Sequence, residues 1–178
     1  MSFTITTLSS EPGIISTLAN LIIETVANGG SVSFMHPMDP QMAVNFWTNS
    51  LAAAGRGERV VLGAWHENEL VGTVTLLLDC PPNQPHRAEI AKMMTRVAWR
   101  GRGIARSLLQ EAERLAVENG RTLLNLDTAA DEGAAGFYER QGYIKAGVIP
   151  DYALKPLGGF TDTILYYKRI GLAAPSGE

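Results

Sequence analysis

Residues 100–118 read RGRGIARSLLQEAERLAVE and combine a loop rich in glycine and arginine with a strongly amphipathic segment. Charged side chains alternate in this segment with apolar ones that recur at helical spacing. The apolar stripe consists of Ile104, Leu108, Leu109, Ala112, Leu115 and Ala116. Gly120 follows as a stop signal. The pattern predicts a surface helix that begins near Ile104 and packs one face against a sheet.

The segments around this helix predict an alternation of strands and helices. Apolar and β-branched runs predict strands at 2–8, 60–65, 70–78, 88–97, 122–128, 143–148 and 163–167. Helical spacing and stop signals predict further helices at 12–26, 40–54 and 134–140. The order β-α-α-β-β-β-α-β-α-β-β describes an α/β fold with a mixed (α+β) sheet. A parallel crossover is expected between the strands that flank the long helix.

Length and composition fit one soluble globular domain. The chain has 178 residues, 46% apolar and 19% charged. We expect a single domain over residues 1–172 and a frayed tail over 173–178. The single cysteine, Cys80, excludes an internal disulfide framework, and the three scattered histidines give no metal-ligand spacing, so no metal is expected.

Charge and hydropathy narrow the expected partners. The net charge of −3 lacks the positive excess of a nucleic-acid footprint. No apolar run approaches the roughly 20 residues that span a bilayer. The first residues lack the basic and apolar regions of a secretory signal. We therefore expect a protein of the reduced cytoplasm that binds neither nucleic acid nor membrane.

The loop at 100–103 is the strongest chemical signal in the sequence. It joins the predicted strand 88–97 to the start of the long helix, where unpaired N–H groups and a positive dipole end favour phosphate. Gly101 and Gly103 allow close approach to an anion and permit positive φ. Arginines at positions 100, 102 and 106 add positive charge. These features predict a phosphate-binding loop.

The same residues allow three other interpretations to be compared with the sequence. A P-loop requires a Lys-Ser/Thr pair that does not follow here. A Rossmann loop would use Asp127 for the ribose, but Arg106 stands where its third glycine belongs, and the preceding strand carries Glu89, Lys92 and Arg96. The third interpretation is a tight turn that binds no ligand. Dinucleotide binding and the plain turn stay open as alternatives.

Two motifs resemble those of the GCN5-related N-acetyltransferases, the GNAT family. Residues 100–105, RGRGIA, resemble the R/Q-x-x-G-x-G/A signature, in which this loop holds the pyrophosphate of acetyl-CoA. Residues 134–143, AAGFYERQGY, resemble the second motif, A-x-x-F-Y-x-x-x-G-F. The sequence departs from the family at Val97, where proline is frequent, and at Asp131, where asparagine is common. The resemblance implies the GNAT acyl-CoA N-acyltransferase fold, with acetyl-CoA as cofactor and coenzyme A as product.

Three further stretches, at 24–35, 88–94 and 126–128, are similar to a family member that acetylates a small β-lactam toxin. This similarity implies a small-molecule amine as acceptor, a role in toxin resistance, and direct attack within a ternary complex. A protein N-terminus or lysine as acceptor, and a non-catalytic acyl-CoA sensor, are the alternatives. Homodimers are common among similar proteins, so a homodimer is also an expectation.

The resemblance also implies roles for individual residues. Tyr138 occupies the position of an acid that protonates the departing thiolate, and a phenol keeps its proton at neutral pH. Its alternative role is packing beside Phe137. Glu89 and Asp127 are the general-base candidates, because the parallel crossover can make their strands neighbours. Solvated charges, or an ion pair with Lys92 or Arg96, are the alternative for both carboxylates. The implied cofactor contacts are Met94, Thr95, Arg96, Val97, Arg100, Gly101, Arg102, Gly103, Ile104, Ala105 and Arg106.

Two further expectations concern the acceptor and a covalent route. Residues 30–57 are expected to contribute to the acceptor wall, with ordinary helix packing as the alternative for some of them. The side chains singled out are Phe34, Met35, His36, Phe46 and Trp47. An acetyl-cysteine at Cys80 would need His86 as its base partner, and we expect direct transfer instead.

Overall fold

A seven-stranded mixed sheet carries the fold in the computed structural model, which describes residues 3–171. The strands are β1 Thr4–Thr7, β2 Arg59–His66, β3 Glu69–Leu77, β4 Arg87–Thr95, β5 Leu123–Ala129, β6 Ile144–Leu154 and β7 Phe160–Arg169. The helices are α1 Pro12–Ala27, α2 Pro40–Gly55, α3 Ile104–Glu118 and α4 Ala134–Arg140. The predicted fold class and element order are confirmed. The predicted frayed tail, 173–178, lies outside the described residues.

The sheet has the order β1-β2-β3-β4-β5-β7-β6, and its only parallel pair among the described strands is β4 with β5. The predicted crossover through α3 is therefore present. The parallel pairing covers only the three residues from Arg87 to Glu89, which face the three from Leu123 to Asn125. Beyond these pairs the two strands separate, and the sheet opens at its centre.

A bulge at Lys92 reverses the faces of β4. Lys92 has a φ of 50°, and the pairing with β3 gains an extra residue on β4 between Ala91 and Met94. Because side chains alternate along a strand, one inserted residue moves every later side chain to the opposite face. Ile90 accordingly packs in the core under α3, whereas Met94 packs in the core under α1 and α2.

Apolar side chains fill both faces of the sheet. On one face α3 buries its predicted stripe, with Leu108 and Leu109 almost inaccessible to solvent. On the other face α1 and α2 bury Leu21, Ile22 and Trp47. Each such side chain contributes about 1.5–3 kcal/mol relative to an exposed one. Within residues 3–171, no helix combines the length and apolarity needed to cross a membrane.

Local signals explain most helix boundaries. The Asp39 side chain accepts a hydrogen bond from the Gln41 N–H at 2.8 Å, which caps α2 at its predicted start. Gly103 lies in the left-handed region directly before α3. These two helices begin where the sequence predicts, because the residues that set their ends act within one turn.

Strand lengths differ from the prediction at three places. β6 extends to Leu154 and β7 begins at Phe160, whereas the sequence predicts strands at 143–148 and 163–167. The missed part of β6 contains Pro150, and its pairing register shifts between Ile149 and Ala153. An exposed edge strand of this kind lacks the apolar alternation that sequence analysis uses. β4 ends at Thr95, before the predicted end, because the chain turns into a short 3₁₀ segment there.

Close packing of α3 on β3 leads to a stability prediction. A Cβ at Gly72 would lie 2.9 Å from Ile104 Cγ2 and 3.0 Å from the Met94 carbonyl oxygen, which is backbone. We expect Gly72→Ala to lower the free energy of unfolding by about 1–3 kcal/mol. Urea unfolding measures the change.

Gly13→Ala is the matched control for this substitution. Gly13 lies in α1, and a Cβ there would meet no atom within 4 Å. Alanine in a helix is favoured over glycine by roughly 0.5–1 kcal/mol, so this variant is expected to be as stable as the wild type or more stable. Equal unfolding midpoints for the two variants would contradict the packing described at Gly72.

Candidate active site

The separation of β4 from β5 creates a cleft of about 730 Å³. Both strands line it, together with α4, the loop between α1 and α2, and the hairpin of β6 and β7. Glu89, Asp127 and Tyr138 all contribute to its walls. The structure thus brings the three predicted catalytic side chains into one cleft, and their roles remain predictions.

Tyr138 lies on α4 at the inner end of the cleft and is only 7% exposed. Its ring packs edge-on against Phe137 and Tyr143, with centroid distances of 5.1 and 5.8 Å. Burial, assisted by the negative charge of Asp127, raises the pKa of Tyr138 to about 12. The phenol therefore keeps its proton at neutral pH and can act as a donor but not as a base.

The two carboxylates have different partners. Asp127 lies on β5, and its Oδ2 accepts a hydrogen bond from the Thr163 hydroxyl at 3.1 Å. Glu89 lies on β4, where its Oε2 is 3.6 Å from Nη1 of Arg87. Arg87 also donates to Asn125 Oδ1 at 2.6 Å, so it links the two strands below the opening. The negative charge of Asp127 acts on the Tyr138 phenol and favours its protonated form.

The glycine-arginine loop forms the other end of the opening. Gly101 and Gly103 have φ values of 75° and 83°, as predicted for a loop that presents its backbone. A Cβ at either glycine would meet no protein atom within 4 Å, so the space before the loop is open. The first N–H groups of α3, at residues 104–106, have no acceptor within the helix. An anion is the ligand that this arrangement favours.

A second cavity of about 510 Å³ lies along this loop. It shares Thr95, Arg100, Gly101, Ala105 and Phe137 with the first cavity. The two cavities therefore form one continuous groove, from the helix start to the carboxylates. Arg106 and Arg140 line the loop end and give it positive charge.

Eight of the predicted cofactor residues line this groove: Met94, Thr95, Arg100, Gly101, Gly103, Ile104, Ala105 and Arg106. The other three, Arg96, Val97 and Arg102, are not among the described residues that line it. Arg102 stacks on Trp99, with its guanidinium carbon 4.8 Å from the ring centroid.

Arg96 and Val97 have protein partners for several of their polar groups. Arg96 Nη1 lies 2.7 Å from Glu24 Oε2, and its Nε donates to the Leu70 carbonyl at 2.8 Å. The Val97 N–H donates to Glu24 Oε1 at 2.9 Å, and the Arg96 N–H donates to the Val71 carbonyl at 2.9 Å. Both residues follow the end of β4, where these contacts hold the turn, and their role as cofactor contacts stays a prediction.

The acceptor end of the groove differs from the predicted acceptor wall. Within 30–57, the residues that line the cleft are 30–33. Trp47 is fully buried in the core, and Phe46 packs edge-on against it at 5.0 Å. For these two aromatic residues, helix packing is the correct interpretation. Phe34, Met35 and His36 are likewise not among the lining residues.

Sequence analysis missed the contribution of the β6–β7 hairpin. Its lining residues are Tyr152, Ala153, Leu154, Thr161, Asp162 and Thr163. No motif marks them, because they reach the cleft only through the pairing of β7 with β5. Arg140 was missed as well, although its position within the second motif offered a signal.

Two contacts join the segments that lie on either side of the cleft at its acceptor end. The His36 N–H donates to the Pro156 carbonyl at 3.1 Å, which joins the α1–α2 loop to the turn between β6 and β7. Leu157 Cδ1 lies 3.6 Å from where a Cβ at Gly29 would stand. We call this junction of residues 29–36 and 155–157 the bridge.

Cys80 lies outside the groove. Its thiol donates to the Arg87 carbonyl at 3.2 Å, and neither cavity includes Cys80 or His86 among its described lining residues. Asp131, which replaces a common asparagine, lies 3.5 Å from Lys155 in an ion pair. Neither Cys80 nor Asp131 is among the described residues that line the groove.

A sheet that opens between two parallel strands, with a helix start suited to an anion at one end and a buried phenol inside, is the arrangement expected of the family that the sequence resembles. Comparison of the sequence with known families agrees. Residues 16–143 match the sequence model of the Acetyltransferase (GNAT) family, so the chain belongs to this family. The open backbone cradle at Gly101 and Gly103 fits the phosphates of acetyl-CoA, the cofactor that this family uses.

The similarity to individual proteins is limited either in sequence identity or in the length that is covered. The chain is 30% identical over 106 residues to N-alpha-acetyltransferase MAK3 of Arabidopsis thaliana, a match that covers 59% of this chain and 55% of that protein. The chain thus spans about half the length of the curated relative it matches. An N-acetyltransferase of Staphylococcus aureus Mu50 superposes with a TM-score of 0.79 at 16% identity, covering 95% of this chain and 99% of that one.

A second solved structure is yncA of Salmonella typhimurium, described as an acetyltransferase with its cofactor acetyl-CoA. It superposes with a TM-score of 0.79 at 14% identity and covers 99% of each chain. At these identities the structural similarities establish the fold alone.

The loop geometry predicts that a substitution at Gly103 weakens cofactor binding as well as lowering stability, and that the two effects can be separated. In Gly103→Ala, a side chain at φ 83° costs about 1–3 kcal/mol of stability, and the added methyl group occupies the space before the helix start. We expect the Kd for acetyl-CoA to rise at least about tenfold, or 1.4 kcal/mol. Isothermal titration calorimetry measures this change.

Gly120→Ala provides the control, because Gly120 has a φ of 71° and similar open space but follows the far end of α3. This variant should lose comparable stability and bind acetyl-CoA normally. Equal cofactor affinity in the two variants would show that the loop does not hold the cofactor.

Proposed function

We propose that the chain transfers the acetyl group of acetyl-CoA to the amine of a small molecule, by direct attack within a ternary complex. The observation that carries this proposal is the continuous groove through the opening between β4 and β5. Acetyl-CoA at the loop end and an acceptor at the carboxylate end would meet beside Tyr138. A cytoplasmic location, which the composition of the sequence favours, and a homodimer, which the sequence resemblance implies, belong to the same proposal.

The residues of the cleft supply the proton transfers that this reaction requires. When bound, acetyl-CoA supplies the thioester carbonyl that the neutral amine attacks. Asp127 or Glu89, directly or through water, removes the proton that the amine must lose. Tyr138 donates its phenolic proton to the departing sulfur. The edge of β4 beyond Glu89 is free of β5 and offers backbone groups to the pantetheine arm.

The bridge supports a small acceptor. It joins the two segments that flank the cleft, through the His36–Pro156 hydrogen bond and the Gly29–Leu157 approach. A protein N-terminus would have to pass this junction as an extended chain. The resemblance of residues 24–35 and 88–94 to the tabtoxin resistance protein supports a toxin-like amine and a role in toxin resistance.

Acetylation of protein N-termini is the second candidate. The observation in its favour is the 30% identity with N-alpha-acetyltransferase MAK3 over 106 residues. Opening of the bridge would be required for that activity. A peptide acceptor and a small amine therefore make different demands on the same structure.

Release of the free thiol of coenzyme A tests the proposal. The enzyme is incubated with acetyl-CoA and a panel of amino acids, dipeptides, aminoglycosides, a β-lactam amino acid and N-terminal peptides. We expect turnover with small amines and none with peptides longer than the dipeptides. Turnover of the longer peptides alone would establish the second candidate. Tight acetyl-CoA binding without any turnover would indicate a sensor.

The role of Tyr138 predicts a loss of turnover without a loss of binding. Tyr138→Phe removes the proton donor and leaves the ring packing, so kcat should fall by about 100-fold or more. The Kd for acetyl-CoA should stay unchanged. Tyr167→Phe is the control, because Tyr167 lies on β7 outside the described lining of the cleft. A Tyr138→Phe enzyme with full kcat would exclude the phenol as the acid.

The raised pKa of Tyr138 also sets the alkaline limit of activity. A phenol that acts as an acid loses its function when it deprotonates, and a higher pKa moves that loss to higher pH. With a pKa of about 12, Tyr138 should sustain kcat through pH values near 10, where an ordinary tyrosine is half ionised. A fall in kcat centred near pH 10 and absent from Tyr138→Phe would contradict the burial described for this side chain.

Separate substitutions distinguish the two carboxylates. Asp127→Asn should lower kcat about 100-fold and flatten the pH–rate profile, because an amide cannot take the proton that the amine must lose. Glu89→Gln should have a smaller effect, since Glu89 has Arg87 as a partner at 3.6 Å. Glu118→Gln, at the far end of α3, serves as the control. Unchanged pH–rate profiles in both cleft variants would remove these residues as bases.

A further inference from the structure

Lys92 is a charged group in the cleft that the proposed proton transfers do not use. The bulge in β4 gives it a φ of 50° and directs its side chain toward the α1–α2 loop. There its Nζ donates to the Ser33 hydroxyl at 3.0 Å and lies 5.7 Å from the ring centroid of Phe46. Lys92 lines the same cleft as Glu89 and Asp127.

The Lys92 ammonium has more donors than the protein uses. An ammonium group carries three N–H bonds, and the Ser33 hydroxyl is its one hydrogen-bond acceptor among the described residues. No described carboxylate oxygen lies within 4.0 Å of Nζ. Burial lowers the pKa of Lys92, and the charges of Asp127 and Glu89 oppose this shift. A partly desolvated cation with unused donors is suited to an anionic group in the cleft.

Lys92 and Asp127 carry opposite charges on opposite sides of the opening. Lys92 follows Glu89 on β4, beyond the last parallel pair, and Asp127 follows Asn125 on β5, also beyond that pair. The cation and the carboxylate thus lie on opposite sides of the gap and within electrostatic range of each other. A small molecule with one amine and one anionic group can pair with both sides at once. An amine without an anionic group leaves the Lys92 donors unused.

We propose that Lys92 binds the carboxylate of the acceptor, which makes the preferred acceptor a free amino acid or a compound of amino-acid type. The amine of the same molecule then lies toward Asp127 and Tyr138, where acetyl transfer takes place. This inference rests on the proposed function, since it assigns the acceptor class at the same cleft. Lys92 is accordingly a specificity-determining residue with no part in proton transfer.

Paired acceptors test this assignment in the intact enzyme. Each free amino acid of the panel is compared with its own carboxamide, which keeps the amine and lacks the negative charge. The wild type should use the free acid with the higher kcat/KM. Lys92→Met should raise KM for the free acid by about 10- to 100-fold, the range for a hydrogen bond to a charged group, and leave KM for the carboxamide unchanged.

Two further variants exclude a structural explanation. Lys92→Arg keeps the positive charge and should retain part of the preference for the free acid. Lys145→Met removes an exposed lysine of β6 and should change neither substrate. A Lys92→Met enzyme whose KM rises equally for acid and carboxamide, with a lower unfolding midpoint, would show that Lys92 only supports the α1–α2 loop.

The outcomes separate this inference from the proposed function. Equal kcat/KM for acids and carboxamides in the wild type would overturn the role of Lys92 and leave acetyl transfer to small amines intact. Binding of acetyl-CoA without release of coenzyme A from any acceptor would overturn both.

Discussion

Parallel hydrogen bonding between β4 and β5 stops after three residue pairs, and the groove depends on this early stop. Each strand is held on its other edge, β4 by β3 and β5 by β7, so the two can diverge without leaving the sheet. The helix α3 connects the two strands along the chain and packs its apolar stripe on β3 and β4. Because α3 begins at this level, its N-terminus is directed to the mouth of the opening that the divergence creates.

The bulge in β4 also determines which side chains line the groove. It moves Met94 to the α1–α2 side and gives Lys92 a place on the acceptor side of the cleft. Positive charge from arginines and helix N–H groups therefore collects at the loop end, and carboxylates with one lysine collect at the acceptor end. Tyr138, buried and protonated, lies between the two ends. One groove thus carries an anion site, a proton donor and a polar acceptor site.

Sequence analysis succeeded where a structural cause is local. The stripe of α3, the cap at Asp39 and the positive φ of Gly103 all act within a few residues, and their predicted positions agree with the structure. It failed where partners are distant in the chain. Glu24 accepts hydrogen bonds from the Val97 N–H and the Arg96 guanidinium, which lie 73 and 72 residues away in the sequence. No periodicity in the sequence indicates such a contact. The β6–β7 lining of the cleft was missed for the same reason.

Hydrogen–deuterium exchange with and without acetyl-CoA tests the central claim most directly, because it follows the backbone groups that the opening exposes. The account predicts that amides in 90–95 and 101–106 gain protection when acetyl-CoA binds, while those of the remote strand β1 do not change. Binding that is established by calorimetry, but that protects neither segment, would contradict the assignment of the cofactor to the opening between β4 and β5.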